Sequence, residues 1–467
     1  MGSRSSNSAD DRVSPGSFRD PSGFVFEREG VLFRQVNQVY RADFDRIVSS
    51  GLGHSLTEAG LLIPHVEVEE EPFDPRCSYK VLRPERVPFI SYPYEWCFGE
   101  LKAAALLTLA IQRRAVAHLM SLKDASAFNV QFADGRPVFI DSLSFEAYEE
   151  GSPWVAYRQF CRHFLAPLAL MSKVDVRLNQ LFRPSLEGVP LDLASRVLPW
   201  RTRLDPRLLI HVHLHAKAEQ AYSGEGPSSG HRVFSKAALM GLIDNLEGAV
   251  RSMRWDPKKS EWGQYYDQTN YSDAATTRKL ELVGEFLDEI RPKSVWDLGA
   301  NTGRYSRLAA DRGASTVAFD IDPACVELHY REVVLRQARN LLPIWLDLTN
   351  PSPGLGWDHD ERSSFLARGP ADLAMALALI HHLAIAANVP LGRIASFLRK
   401  VSPTLIIEFV PKTDSQVRRL LASREDIFDD YTREGFEAAF SEHFAIDRAE
   451  LIVESERTLY LMRARSG

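Results

Sequence analysis

From Phe234 onward, apolar residues recur every three or four positions through "SKAALMGLIDNLEGAVRSM" and "AATTRKLELVGEFLDEI", the spacing of helices that bury one face. Short apolar runs follow, "SVWDLG", "STVAFDID", "LLPIWLDL", "ADLAMALAL" and "TLIIEFV", with helical stretches between them. That alternation predicts an α/β domain whose parallel sheet is wound by helices on both faces. The earlier residues carry their own series of strands, helices and turns, an α+β pattern without internal repeat. Between the two regions "SGEGPSSG", residues 223 to 230, is small, polar and glycine-rich, and reads as a linker. The predicted organisation is a tail over 1–20, an α+β domain over 21–222, a linker over 223–232, and an α/β domain with a helical lead-in over 233–467.

A chain of 467 residues exceeds one ordinary core, which agrees with two domains. Its 45% hydrophobic and 25% charged residues are those of a globular protein. No apolar run approaches the roughly eighteen residues of a membrane span. The opening "MGSRSSNSADDRVSPGSFRD" lacks the apolar stretch of a secretory signal and reads as a disordered tail. Cys77, Cys97, Cys161 and Cys325 have no paired spacing, which argues against a disulfide framework or a zinc site and for a reducing, cytoplasmic setting. A net charge of -6 and a pI near 6.1 lack the basic footprint of a nucleic-acid partner.

Residues 294 to 322, "SVWDLGANTGRYSRLAADRGASTVAFDID", read as strand, glycine turn, helix and a second strand ending in acid. In open α/β sheets, ligands bind beyond the carboxyl ends of the strands, where this turn lies. Gly299 and Gly303 remove side chains where backbone approaches a ligand, and Asp320, 21 residues after Gly299, is placed to accept both hydroxyls of a ribose. A dinucleotide fingerprint needs glycine at the positions that Asn301 and Arg304 occupy. Asp297 would repel a phosphate and suits a cationic amino-acid group. The expected ligand is therefore a nucleoside carrying an amino acid.

"VWDLGANTG" resembles the first motif of class I S-adenosylmethionine-dependent methyltransferases, with Asn301 as its departure from the common pattern. "VAFDID" is similar to the second motif, implying that Asp320 holds the ribose. "LDLTN" is similar to the third, implying that Asp347 lies against the adenine, and "ADLAMALALIHHL" resembles the fourth, whose strand end borders the transferring methyl. The resemblance covers about residues 260 to 465. It implies a Rossmann-like, mostly parallel seven-stranded sheet and S-adenosyl-L-methionine as cofactor.

Methyl transfer is an in-line displacement, so an enzyme positions the nucleophile and removes its proton when necessary. His381 and His382 follow the fourth strand, and a histidine near neutrality suits the deprotonation of a hydroxyl. Adjacent residues point different ways, so at most one of them faces the methyl. Glu408, ending "TLIIEF", is the second candidate base. Packing or capping at the strand end is the competing role for each. Tyr265, Tyr266 and Tyr271 in "EWGQYYDQTNYSD" suggest either a lid over the cofactor or aromatic packing between domains.

In the first half, "SLKDASAFNVQFADGRPVFIDSLSFE" places Asp124, Asn129 and Asp141 near strand ends. The spacing Asp-x4-Asn, with a further Asp twelve residues on, resembles the catalytic loop and metal-binding acid of protein-kinase-like and aminoglycoside-phosphotransferase-like folds. That resemblance implies that Asp124 orients an acceptor hydroxyl and that Asn129 and Asp141 hold magnesium. The departures are a missing glycine-rich phosphate loop, Leu122 where those families have histidine, and Arg34 or Lys80 where they have the strand lysine. Phosphoryl transfer needs its cradle of positive charge and backbone donors, so Mg-ATP is disfavoured here and a degenerate nucleotide or substrate binder is the favoured reading.

The expected activity is methyl transfer from S-adenosylmethionine, with the first half selecting or presenting a small-molecule or saccharide acceptor. A bifunctional kinase and methyltransferase that caps a glycan is the alternative enzyme, and a non-catalytic cofactor binder the alternative from another class. The overall layout, with "PWVAYRQFCRHFLAPLALM" and "LALIHHLAI", is similar to NoeA-type nodulation methyltransferases of rhizobia. That resemblance implies host-specific nodulation through a modified lipo-chitooligosaccharide signal or another surface saccharide.

Overall fold

A computed structural model describes residues 11–217, 235–257, 272–422 and 424–465. The chain forms two compact units, one of Met1–Trp255 with Gly354–Arg362, the other of Asp256–Pro353 with Ser363–Gly467. The expected linker, and the tyrosines at 265, 266 and 271, lie outside the described residues.

The first unit opens with an antiparallel sheet of β1 (Arg12–Val13), β2 (Gly23–Arg28), β3 (Val31–Asn37), β4 (His65–Glu67) and β5 (Ser78–Pro84), in the order β1-β2-β3-β5-β4. Phe26, Phe33 and Val81 form its buried face. β1 falls inside the expected tail. Its pairing of Arg12 with Glu27 and Val13 with Phe26, and bonds from the Ser14 and Val25 amides to the Val25 carbonyl and Ser17 hydroxyl, bring residues 12–17 into the sheet. Polar composition was the wrong guide there, because an edge strand contributes backbone rather than side chains.

The helix Phe98–Ala117 leads to β6 (Met120–Leu122), β7 (Val130–Ala133), β8 (Arg136–Phe139) and β9 (Phe145–Ala147). β6 pairs with β9, and the β7–β8 hairpin is nested between them, so the loops carrying Asp124 and Asp141 are the two connections between the nested pairs. The helix Lys236–Ser252, expected as a lead-in to the second domain, belongs to the first unit. Its buried stripe includes Leu239, Ile243 and Leu246, Arg113 bonds Asp244 at 2.6 Å and Glu247 at 2.9 Å, and the Lys102 ammonium bonds the Met253 carbonyl at 2.7 Å. Amphipathic periodicity shows that a face is buried, but not against which partner.

The second unit is built on β10 (Ser294–Leu298), β11 (Ser315–Asp320), β12 (Leu341–Trp345), β13 (Leu373–Ala376), β14 (Thr404–Phe409), β15 (Phe444–Leu451) and β16 (Thr458–Ala464), in the order β12-β11-β10-β13-β14-β16-β15. β10 to β14 run parallel, and β16 inserts antiparallel between β14 and β15. The five apolar runs read from the sequence are the five parallel strands. Their order reverses at β10, so the turns after β10, β11 and β13 open at one end of the sheet, where a topological switch leaves a crevice. Among the described residues no helix is long and apolar enough to cross a membrane.

Replacing Ile243 by Ala should cost the first unit about 2–4 kcal/mol, because a fully buried branched side chain leaves a cavity. Urea denaturation measures this, and a loss below about 1 kcal/mol would remove the helix Lys236–Ser252 from that core.

Candidate functional site

β10 ends at Asp297 and Leu298, and the chain turns sharply through Gly299, Asn301 and Gly303, all at positive φ, into the helix Arg304–Ala310. The amides of Gly299 and Ala300 both reach the Phe319 carbonyl at 2.9 Å, which locks the turn against β11. Gly303 has φ +76, and a Cβ there would lie 2.0 Å from the ring of the buried His329. Only glycine fits that contact. Asn301 contributes in another way: its amide donates to Asp320 at 2.7 Å and its side-chain oxygen accepts from the Thr302 amide at 2.8 Å. Asparagine tolerates the left-handed conformation and bonds locally, which explains how it serves at this point of the motif.

Two carboxyls flank the turn. Asp297 is buried and accepts the Ser306 hydroxyl at 2.5 Å. Burial pushes its pKa up to about 6, partly offset by the Ser306 bond and the charge of Lys279. Asp320 closes β11 and takes the Asn301 amide on one oxygen and the Asp322 amide, at 2.8 Å, on the other. Burial raises it to about 6 as well, against those backbone bonds. Asp347 follows β12 and folds onto Thr349, accepting its amide at 2.8 Å and its hydroxyl at 2.7 Å. Ile321, exposed by 58% between Asp320 and Asp322, adds an apolar surface at the end of β11 that periodicity alone does not single out.

Beyond β13, His381 is fully buried, and both its ring nitrogens lack a hydrogen-bond partner among the described residues. Burial first, then the charges of His382, Arg457 and Lys279, drives its pKa well below the ordinary value. The His382 ring lies 4.2 Å from that of His381, and His382 is the partly exposed member of the pair. Its pKa is lowered by burial and by Arg457. Glu408, proposed from sequence as a base, is closed off inside β14. It meets the Lys279 ammonium at 2.6 Å and Arg457 at 3.6 Å, while Arg457 bonds Asp414 at 2.7 Å. The sequence reading missed Lys279 and Arg457. A signal existed for the first: Lys279 interrupts the buried stripe Ala275, Leu282, Val283 and Phe286 of the helix Asp273–Ile290, and a lysine is kept there only when paired.

In the first unit, Asp124, Asn129 and Asp141 come together. Asp124 accepts the Ser126 amide at 2.9 Å and the Gln159 side chain at 2.7 Å, and Asn129 is among its partners. Burial, then the charge of Asp141, raises its pKa. Asp141 is ion-paired with Arg34 of β3 and also accepts the Leu143 amide at 3.0 Å and the Ser144 hydroxyl at 2.6 Å. Of the two cations considered as stand-ins, Arg34 is therefore the one beside the acid, whereas Lys80 pairs with Glu67. Among the described residues, no group of three or more His, Cys, Asp or Glu side chains is placed to hold a metal ion.

The reversed strand order with an antiparallel β16, the left-handed glycine turn after β10 and the acid closing β11 together define the fold of the class I S-adenosylmethionine-dependent methyltransferases. The chain belongs to the NoeA family: it is 37% identical to the nodulation protein NoeA of Rhizobium meliloti (strain 1021) over 458 residues, 95% of this chain and 94% of that one. No protein-family model matches the chain. Among solved structures it is similar to the magnesium protoporphyrin IX methyltransferase ChlM from Synechocystis PCC 6803 with bound SAH, at 15% identity and TM-score 0.32 over 44% of this chain and 93% of that chain. A SAM-dependent methyltransferase from Aquifex aeolicus shows 16% identity and TM-score 0.31 over 45% of this chain and 100% of that one. The bifunctional kinase-methyltransferase WbdD shows 16% identity and TM-score 0.31 over 43% and 42%.

Removing one partner of a buried ion pair strands the other charge, so Lys279→Met should destabilise the second unit by about 3–5 kcal/mol. Combining it with Glu408→Gln should recover part of that loss. A strictly additive double mutant in chemical denaturation would mean that the two side chains do not interact.

Proposed function

We propose that the second unit binds S-adenosyl-L-methionine and transfers its methyl group to a small-molecule or saccharide acceptor, as part of host-specific nodulation. The observation that carries this reading is the pair of carboxyls, buried Asp297 and partly exposed Asp320, held on either side of a backbone turn kept clear of side chains at Gly299 and Gly303. At pH 7 an ionised, desolvated Asp297 is costly to the free protein, and a cationic ammonium group of the ligand relieves that cost. Asp320 keeps lone pairs for ribose hydroxyls after its two backbone bonds. Asp347 and the exposed Ile321 line the base side.

When bound, the cofactor supplies an electrophilic methyl on a sulfonium sulfur. The chain's own work is to orient the acceptor and take up its proton. His382 suits the second task, being partly exposed and neutral near pH 7 because burial and Arg457 disfavour its cation. We assign Glu408 to structure: with Lys279 and Arg457 it ties β14, the helix Asp273–Ile290 and the approach to β16 into one framework beneath the histidines. His381 supports His382 by ring contact.

For the first unit we propose acceptor binding without phosphoryl transfer. Its nested strand pairs and the Asp124–Asn129–Asp141 grouping support the kinase-like resemblance. Asp141, however, is occupied by Arg34, Leu143 and Ser144, which leaves little of its carboxylate for a metal. The curated relative's name supports nodulation as the setting.

Calorimetric titration of the full chain with S-adenosylmethionine, and separately with ATP and magnesium, tests both assignments. Binding of the first alone is expected, and Asp320→Ala should weaken it by about tenfold or more, since a ribose loses its acceptor. Cofactor affinity should hold between pH 8 and 7 and fall as the pH drops through about 6, where Asp297 and Asp320 take up protons and lose their charge. A flat profile down to pH 5 would reject both carboxyls as ligands. Once an acceptor is in hand, His382→Ala should cut turnover by about 100-fold with cofactor affinity retained, within the range of general-base catalysis. Full activity in that variant would remove the base assignment.

A further inference from the structure

The first unit holds three arginines that its own acids do not neutralise. Around Phe128, in the short turn Ala127–Asn129, lie Tyr94 at 6.5 Å, His163 at 6.2 Å and Phe182 at 6.4 Å between ring centroids. Arg362 lies over the Phe128 ring at 4.5 Å, and Arg183 over Tyr94 at 5.8 Å. Arg162 adjoins His163 in the chain, and its guanidinium reaches the Gly188 carbonyl at a long 3.4 Å. The Nε–H groups of all three are buried with no hydrogen-bond partner among the described residues. Arg162 and Arg183 have no ion pair there either. Arg362 has Glu361 at 3.6 Å, but that carboxylate is already committed to Arg19 through bonds of 2.7 and 3.0 Å.

Three arginines whose Nε–H groups are buried without an acceptor, beside one cluster of aromatic rings, need a reason. A buried N–H without an acceptor costs about 1–3 kcal/mol, and a charged one more. Guanidinium is a planar fork that matches an oxyanion by two parallel bonds. His163 cannot contribute a fourth positive charge. It is fully buried, and burial together with the nearby charges of Arg162 and Arg362 holds it neutral, at about 3.

We infer that Arg162, Arg183 and Arg362 form an oxyanion-binding site around Phe128, one turn from Asp124, for a ligand bearing phosphate, sulfate or carboxylate groups. Phe128, partly exposed, offers a flat apolar face beside the Arg362 guanidinium, the combination that holds a sugar ring carrying an anionic substituent, while buried Tyr94 backs it. Taken with the acceptor-binding role proposed for this unit, the site makes the acceptor an anionic saccharide rather than a neutral one. Arg362 reaches it from Gly354–Arg362, the segment that the later part of the chain contributes to the first unit.

The test titrates the full chain with inorganic pyrophosphate and with inorganic sulfate at constant ionic strength, and each sample afterwards with S-adenosylhomocysteine. Saturable binding of at least one anion is expected, weakened about tenfold or more by Arg162→Gln or Arg183→Gln and only partly restored in the corresponding Lys variants, which keep the charge but lose the fork. Arg201→Gln, an exposed cation of the same unit, should bind like the parent. No saturation by either anion up to about 10 mM, or binding undiminished in the glutamine variants, overturns the site. Retained S-adenosylhomocysteine binding in those samples shows that the chain is folded and keeps this failure separate from failure of the methyltransferase reading.

Discussion

The second unit depends on a close approach between backbone and ring. At Gly303 the chain passes so near His329 that no side chain fits, and the turn that results points the amides of residues 299 to 301 at β11 and its terminal acid. Asp320 accepts the Asn301 amide, so the turn and the acid are one hydrogen-bonded object rather than two neighbouring features. A substituent at Gly303 would push the helix Arg304–Ala310 off the sheet and take Ser306 away from Asp297. Both carboxyls owe their raised pKa values to the burial that this packing imposes.

A second constraint sits on the other side of β10. Lys279, Glu408, Arg457 and Asp414 form a chain of alternating charges with almost no solvent access. Such a network rarely adds net stability over apolar packing, yet breaking it is costly, so it favours one arrangement of the elements it joins. Its electrostatic consequence reaches the histidines. Burial first, and then the nearby cations, disfavour imidazolium at His381 and His382, so the loop after β13 offers neutral rings. The residue that looked like a base is thus an ion-pair partner of the cations beside the histidines.

The first unit shows the same residue types put to different use. Asp124, Asn129 and Asp141 have the spacing of a phosphoryl-transfer site and are brought together by nested strand pairs, yet Arg34 and two local donors occupy Asp141. Spacing is a property of the chain, whereas the availability of a lone pair depends on residues more than a hundred positions away. The unneutralised arginines near Phe128 are likewise separated in sequence, the last of them delivered by a segment that leaves the second unit's sheet between β12 and β13.

Local patterns therefore carried far. The five parallel strands, the glycine turn with Asp297 and Asp320, and the strand-end position of His381 and His382 were legible because period, turn chemistry and strand-end acids act over a few residues. Tertiary structure alone decided which unit the helix Lys236–Ser252 joins, that residues 12–17 complete a sheet, that Lys279 and Arg457 enclose Glu408, and that Arg34 lies against Asp141. Each of these rests on contacts between residues distant in the chain, where burial and charge pairing outweigh local composition. The sequence determined the elements and the ends at which chemistry gathers. Packing decided which of the gathered side chains remain free to act.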